Sequence, residues 1–165
     1  MSILIITVNY KDSKPTEKLV NSIINCKISS SLKILIIDNE SSEDSFLSLK
    51  TIRKKTNLDI EIIRSVNNTY YWGGISMGLK KYNNILKNYD WIIACNNDIE
   101  FNDNTFFEKL YNFKENSYSI IAPKIISSLT NKDLNPFMTK PISFIYNIYY
   151  SIYYLNFFTS KIVHK

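Results

Sequence analysis

Glycine is scarce in this chain: there are three in 165 residues, with four prolines. That scarcity excludes collagen-like, linker-like and low-complexity organisation, all of which are built on one or both residues. Cysteine is also rare. Cys26 and Cys95 stand apart, without the Cys-x-x-Cys spacing of a zinc site. Cys95 lies inside an apolar run and reads as a small buried hydrophobe. The single histidine, His164, is near the C-terminus and reads as a solvated tail residue rather than a base. No glycine-rich phosphate loop followed by a basic residue lies near the first apolar run, which argues against a nucleotidyltransferase. Met1-Ser2-Ile3-Leu4-Ile5-Ile6 lacks the positive segment and small-residue cleavage site of a signal peptide, so a cytoplasmic location is expected. Twenty Lys and Arg against fifteen Asp and Glu give a formal charge of +5. The lysines are scattered, and no nucleic-acid partner is expected. The densest basic cluster, Arg53-Lys54-Lys55, reads as a helix end, where cations favour the dipole.

Hydrophobic residues make up 45% of the chain, enough for a core. Short apolar runs alternate with helical patterns. Ile3 to Val8, Leu32 to Ile37, Ile60 to Ile63, Trp91 to Cys95 and Ser119 to Ile125 are expected as strands. Ser13 is expected to cap a helix with Pro15 in its first turn and Leu19, Ile23 and Ile24 as its stripe. Further helices carry Phe46, Leu49 and Ile52, then Met77, Leu79 and Tyr82, then Phe106, Leu110 and Phe113. This alternation predicts an α/β fold with a mostly parallel sheet and helices on both faces. Right-handed crossovers then bring Asn9, Asp38 and Asp98 to one rim of the sheet.

The polar ends of the strands carry the chemistry. Trp91 to Cys95, read as a fully buried strand, ends in Asn96-Asn97-Asp98. Open α/β sheets bind ligands at such strand ends. A carboxylate there can seat a hard divalent cation against phosphate oxygens, although Asn-Asp after a strand is also ordinary turn chemistry. Asp38 ends another strand. It can accept a hydrogen bond from a nucleobase N–H, or cap the helix that follows. Asn9 and Tyr10 close the first strand and could line the same pocket. Gly73-Gly74 leaves backbone room near a ligand.

Four motifs, in order, resemble those of the inverting family-two glycosyltransferases with the GT-A fold. They are Val8-Asn9-Tyr10-Lys11, Ile36-Ile37-Asp38-Asn39-Glu40-Ser41-Ser42-Glu43-Asp44, Asn68-Thr69-Tyr70-Tyr71-Trp72-Gly73-Gly74-Ile75-Ser76-Met77-Gly78 and Cys95-Asn96-Asn97-Asp98. Ile120 to Ile125 is similar to the strand that follows in that family. The resemblance implies a nucleotide-diphosphate sugar donor of UDP or dTDP type, Mn²⁺ or Mg²⁺, and a glycan or lipid-linked acceptor. It implies that Asp38 contacts the base with Asn9 and Tyr10 nearby. Asp98 would hold the metal and Asn96 would face the sugar. The matched positions Asn68, Gly73 and Asn97 complete the donor-binding set. On Asn96-Asn97-Asp98 and Asn135-Pro136-Phe137-Met138 the sequence resembles the rhamnosyltransferase or capsular polysaccharide branch, which implies a part in surface polysaccharide synthesis. It departs from the family pattern at Lys11, a frequent Asn; at Tyr70, usually Gly; and at Ser76, often Asn. No acidic motif that could supply the acceptor's base follows Ile126, where Asp133 is the only acidic residue.

The expected organisation is therefore a donor-binding domain over residues 1–126 and an appendage over 127–165, a partial acceptor region. Between Pro141 and Ser160 there is no charged residue, and Phe144, Ile145, Tyr149, Ile152, Tyr153 and Phe157 recur at helical spacing. This aromatic C-terminal helix could pack on the domain, lie in the membrane interface as a peripheral anchor at the inner face, or pair with a second copy. With the acceptor half unaccounted for, a catalytically silent donor-binding or assembly module is the alternative to an active transferase.

Overall fold

The structure is a computed structural model that describes residues 1–113 and 120–134. Four strands, β1 (Ser2–Asn9), β2 (Ser31–Asn39), β3 (Asp59–Ser65) and β4 (Trp91–Asn96), form one sheet. Every pairing is parallel, in the spatial order β3-β2-β1-β4. The connections carry α1 (Lys14–Ile24), α2 (Glu43–Lys54) and α3 (Tyr70–Tyr82). A short 3-10 turn, Leu86–Asn88, precedes β4, and α4 (Phe106–Phe113) follows it. Each of these strands and helices matches an expected segment.

Strands β1 and β2 lie in the middle of the sheet and are buried on both faces, hence their unbroken runs of Ile, Leu and Val. Their side chains alternate between two cores. Ile3, Ile5, Ile34 and Ile36 join Leu19, Ile23, Leu49, Ile52, Phe107 and Leu110 on the face covered by α1, α2 and α4. Leu4, Ile6, Val8, Leu35 and Ile37 join Ile75 and Tyr82 beneath α3. Ser42 caps α2, accepting from the Ser45 N–H at 3.3 Å, and Arg53 and Lys54 fill its last turn as expected.

Five expectations are corrected. Among the described residues β4 stands at the edge of the sheet and is not fully covered: Trp91, Ile93 and Cys95 face the core while Ile92, Ala94 and Asn96 are exposed. A five-residue apolar run looks the same whether one face or both are covered, because length alone does not resolve it. Ser13 stands at the start of α1, but its hydroxyl makes no cap bond; the Asp12 carboxylate instead accepts the Lys14 N–H at 3.0 Å. Ile24 is 46% exposed because Leu19, Val20 and Ile23 already fill the inward face of α1. In α4, Phe107 takes the core position and Phe113 is exposed. Residues 120–125 form no ladder; Pro123, which has no N–H to donate, interrupts them.

The chain divides into two compact units, Met1–Tyr118 and Ser119–Lys165. In the second, Ile126 makes a single antiparallel bridge with Asp133, and the Leu134 N–H donates to the Ile125 carbonyl at 2.8 Å. The Asn135-Pro136-Phe137-Met138 stretch, the aromatic segment and His164 lie outside the described residues.

All three glycines lie in α3, and none has a positive φ. They allow close approach. A Cβ on Gly74 would sit 2.7 Å from Val8 Cγ2, and one on Gly78 would sit 2.9 Å from Ile6 Cγ2 and 3.1 Å from Leu35 Cδ2. The helix therefore rests directly on β1, with its N-terminal end over the end of that strand. Gly78→Leu is expected to cost about 2–3 kcal/mol by overpacking this contact, read as a lower urea midpoint at unchanged slope.

Candidate functional site

The parallel register ends the strands together. Asn9 pairs with Asp38, Asp38 with Arg64, and Val8 with Asn96. The polar residues that follow therefore share the carboxyl rim, where open α/β sheets bind ligands.

Asn9 is the hub of that rim. It is fully buried, and its side-chain amide N–H groups donate to Asp38 Oδ1 at 3.2 Å and Ser41 Oγ at 3.0 Å. Its carbonyl oxygen accepts from the Thr16 hydroxyl at 2.7 Å, and Thr16 Oγ1 in turn accepts from Asn97 Nδ2 at 3.0 Å. One unbroken chain, Asp38–Asn9–Thr16–Asn97, thus links the end of β2 to the turn after β4. Both faces of the Asn9 amide are engaged, so it holds Asp38 in place rather than offering a free group to a ligand. Tyr10, the next residue, is 44% exposed, with Lys11 Nζ 5.0 Å from its ring centroid.

Asp38 is also fully covered, with the Asn9 amide and the Arg64 guanidinium beside its carboxylate. Its Oδ2 accepts no hydrogen bond; the nearest cation is Arg64 Nε at 3.6 Å. Arg64 is itself anchored, donating to the Ser41 carbonyl at 3.2 Å, pairing with Glu43, and stacking 4.5 Å from the Phe46 ring. Beside it, Glu40, Ser41, Arg64, Ser65 and Val66 line an open cleft of about 360 Å³ at the ends of β2 and β3. A second cleft of about 470 Å³ runs between α1 and the segment after β4, lined by Lys18, Asn21, Asn25, Glu100, Asn102 and Asn104 among others.

Two residues of this rim were not singled out from the sequence. Arg64 was legible only as the polar residue after the apolar run of β3, and the register places it opposite Asp38. Asn39 sits within the Asp-Asn motif and is 1% exposed. Its side-chain oxygen accepts from the Thr69 N–H at 2.9 Å, and its amide donates to Asn68 Oδ1 at 2.6 Å. Asn68 Oδ1 also accepts the Tyr70 N–H at 2.9 Å, and the Asn68 N–H donates to Glu40. Asn68 thus binds the loop before α3 to the end of β2. Gly73 lies in the first turn of α3, where a Cβ would meet Thr69 Cβ at 2.7 Å, so its open space faces its own helix cap.

Asn96 and Asp98 are exposed at the end of β4, and Asn97 is half-buried through its bond to Thr16. Among the described residues no group of three or more His, Cys, Asp or Glu converges as a protein-only metal cage. A single exposed carboxylate suits a cation whose remaining ligands are phosphate oxygens and water, and Asp98 fits that role. Cys95 does not contribute: burial pushes its thiol up to about 12, so it stays protonated and inert. Asp103 is engaged elsewhere, its carboxyl held down to about 2 by Lys109 and Thr105.

Three non-glycine residues on this rim have left-handed backbones: Lys11 at φ 62°, Glu40 at 61° and Tyr70 at 57°. They follow β1, β2 and β3 in turn. Such a backbone costs about 1–2 kcal/mol in a residue with a Cβ. Tyr70→Gly removes that cost and loses about 0.5–1 kcal/mol to the freer unfolded chain. A net gain of about 0.5–1 kcal/mol is expected by thermal or urea unfolding, with no gain for Tyr70→Ala. Asn9→Ala should lower stability by about 2–4 kcal/mol in the same assay, because it strips a partner from both Asp38 and Thr16.

Residues 2–163 match the family model described as Glycosyl transferase family 2. No curated protein matches the sequence. Among solved structures, the chain is similar to the mannosyltransferase PcManGT from Pyrobaculum calidifontis in complex with GDP-Man and Mn²⁺. That likeness has a TM-score of 0.55 at 9% identity and covers 62% of this chain and 29% of that one. It is also similar to S. aureus TarS in complex with UDP-GlcNAc, with a TM-score of 0.55 at 14% identity, covering 76% of this chain and 40% of that one. The chain therefore spans less than half the length of either structure. At these identities the likeness establishes the fold, the parallel α/β sheet of the GT-A type. With the family model matching nearly its whole length, the protein belongs to glycosyl transferase family 2.

Proposed function

We propose that this domain binds a nucleotide-diphosphate sugar across the carboxyl rim and transfers the sugar, with inversion, to a glycan or lipid-linked acceptor. The nucleotide is of UDP or dTDP type. The product belongs to surface polysaccharide synthesis of the rhamnosyl or capsular kind, at the cytoplasmic face of the membrane. The observation that carries this reading is the hydrogen-bond chain Asp38–Asn9–Thr16–Asn97, which ties the base-side carboxylate and the metal-side turn into one rigid edge. Family membership and neighbours solved with GDP-Man and UDP-GlcNAc support it.

The residues divide the work by position. Asp38 Oδ2 is a buried acceptor with no hydrogen bond of its own. A base N–H entering from the Glu40–Ser41–Arg64 cleft would satisfy it once Arg64 swings aside. Asn39 and Asn68 hold the loop before α3 against that pocket. Asp98 would hold Mn²⁺ or Mg²⁺ with phosphate oxygens. When bound, the cation supplies charge neutralisation on the diphosphate. Asn96, exposed near Asp98, would meet the donor sugar.

A second reading, a donor-binding module without transfer activity, is favoured by the state of the carboxylates. Asp103 is paired with Lys109, which leaves Glu100 the nearest exposed acid in sequence after Asp98. Inverting transfer needs a base on the acceptor hydroxyl. Release of sugar from the donor by the purified chain would exclude the silent module.

Calorimetric titration with UDP and dTDP, with and without Mn²⁺, tests the donor site. Nucleotide binding that tightens with Mn²⁺ is expected. Asp98→Ala should abolish the Mn²⁺-dependent gain. Asp38→Ala should weaken binding about tenfold in either condition, the loss of one hydrogen bond to a charged group. Failure of every nucleotide to bind, in any metal, overturns the proposal.

A further inference from the structure

Two walls enclose the cleft of about 470 Å³ on the flank of the domain. One is α1, whose Lys18, Asn21, Ser22 and Asn25 recur at the three- and four-residue spacing of a single helix face. The other is the segment after Asp98, which supplies Glu100, Phe101, Asn102 and Asn104. Hydrogen bonds tie the walls together. Ser22 Oγ accepts the Phe101 N–H at 3.0 Å and donates to the Leu19 carbonyl at 2.7 Å. The Lys27 N–H donates to the Asn104 carbonyl at 2.8 Å. The Phe101 ring packs on Phe106 and Phe107, with centroids 4.9 and 5.4 Å away. Both walls also start from one point, because Thr16, in the first turn of α1, is bonded to Asn97, the residue before Asp98. The cleft therefore descends from the metal-side turn of the rim.

Its asparagines differ from those of the rim. Asn9, Asn39, Asn68 and Asn97 are all hydrogen-bonded within the fold. Among the described residues, the side chains of Asn21, Asn25, Asn102 and Asn104 make no hydrogen bond, and Lys18 and Glu100 make no ion pair. The fold thus brings these polar side chains to one groove and leaves their hydrogen-bonding capacity unused. An amide offers a donor and an acceptor side by side, and neighbouring hydroxyls of a sugar need both. The charges lining the groove, Lys18 and Glu100, are one of each sign, while the Asp103 carboxylate is turned to Thr105 and Lys109. A phosphate or polyanion would call for a cluster of cations, and an extended peptide for apolar pockets for its side chains. We propose that this cleft is a subsite for a neutral glycan chain, the acceptor strand, held through its hydroxyls so that one end reaches the metal-side turn. Its part in transfer rests on the glycosyltransferase reading above; glycan binding itself does not.

The full chain, isotope-labelled, is titrated by NMR with neutral tetrasaccharides of N-acetylglucosamine, of mannose and of glucose. Parallel titrations use a neutral tetrapeptide, inorganic phosphate, UDP and dTDP. A tetrasaccharide should shift the side-chain amide signals of Asn21 and Asn102, each assigned by its loss in Asn21→Ala or Asn102→Ala, and spare those of Asn9 and Asn39. These two variants, one from each wall, should each weaken the tetrasaccharide about fivefold, the scale of one neutral hydrogen bond. Nucleotide affinity and melting temperature should not change, because neither side chain is bonded within the fold. Asp38→Ala should do the reverse, weakening the nucleotide and sparing the tetrasaccharide. Tetrasaccharide binding that both groove variants weaken supports the subsite, even if no nucleotide binds and the transferase reading falls. Tetrasaccharide binding indifferent to both variants, or a response to the peptide or to phosphate alone, would overturn it. Nucleotide binding with no response to any tetrasaccharide would overturn the subsite and leave the donor site standing. Silence toward every probe would remove both readings.

Discussion

The buried side chain of Asn9 is the constraint on which the rim depends. A carboxylate at full burial is costly unless something holds it, and Asp38 is held on one oxygen by Asn9 and faced on the other by Arg64. The same amide, through Thr16, fixes the turn after β4. Parallel pairing alone would align the strands but leave three flexible loops beyond them. One asparagine with both ends engaged turns loops that follow separate strands into a single surface. A second asparagine, Asn39, does the same for the loop before α3.

This arrangement explains why the sheet is asymmetric. β1 and β2 are buried on both faces and carry the polar hubs at their ends. Among the described residues β4 is at the edge with one face exposed, and its last residue, Asn96, is accessible. A base-side acceptor gains from low dielectric, where each hydrogen bond counts for more. A metal-side carboxylate must exchange water and phosphate and gains from exposure. On the proposed reading the buried Asp38, at the end of a central strand, and the exposed Asp98, just past β4, would meet these opposite needs.

Much of this was legible in the sequence. The runs Ile3 to Val8 and Leu32 to Ile37 could be little else than central parallel strands, and the ordered motifs pointed to the family. What stayed hidden depended on pairing between distant residues. That Arg64 stands opposite Asp38 follows from register, which the apolar run of β3 does not encode. That Asn9 is a hub rather than a ligand contact follows from the simultaneous approach of Thr16, Ser41 and Asn97, each from a different segment. The exposed face of β4 could not be seen because Ile92 and Ala94 are as apolar as their buried neighbours. Ser13 does not cap α1 because Asp12, one residue earlier, takes the Lys14 N–H at the same helix end.

The scarcity of glycine and the strain at the rim are connected. The chain has three glycines, and all lie in α3, where packing against Val8, Ile6 and Leu35 or against the helix's own cap leaves no room for a Cβ. None is left for the loops that follow β1, β2 and β3, yet each of those loops needs a left-handed residue to turn the chain into the rim. Lys11, Glu40 and Tyr70 occupy those positions instead. Lys11 lies against Tyr10, and Glu40 accepts the Asn68 N–H, so two of the three have a contact within the rim. The backbone of Tyr70 is held by Asn68, but its ring is left in solvent. A side chain thus stands at a position where the family resemblance leads one to expect glycine, and no contact of its ring among the described residues offsets the strain of its backbone.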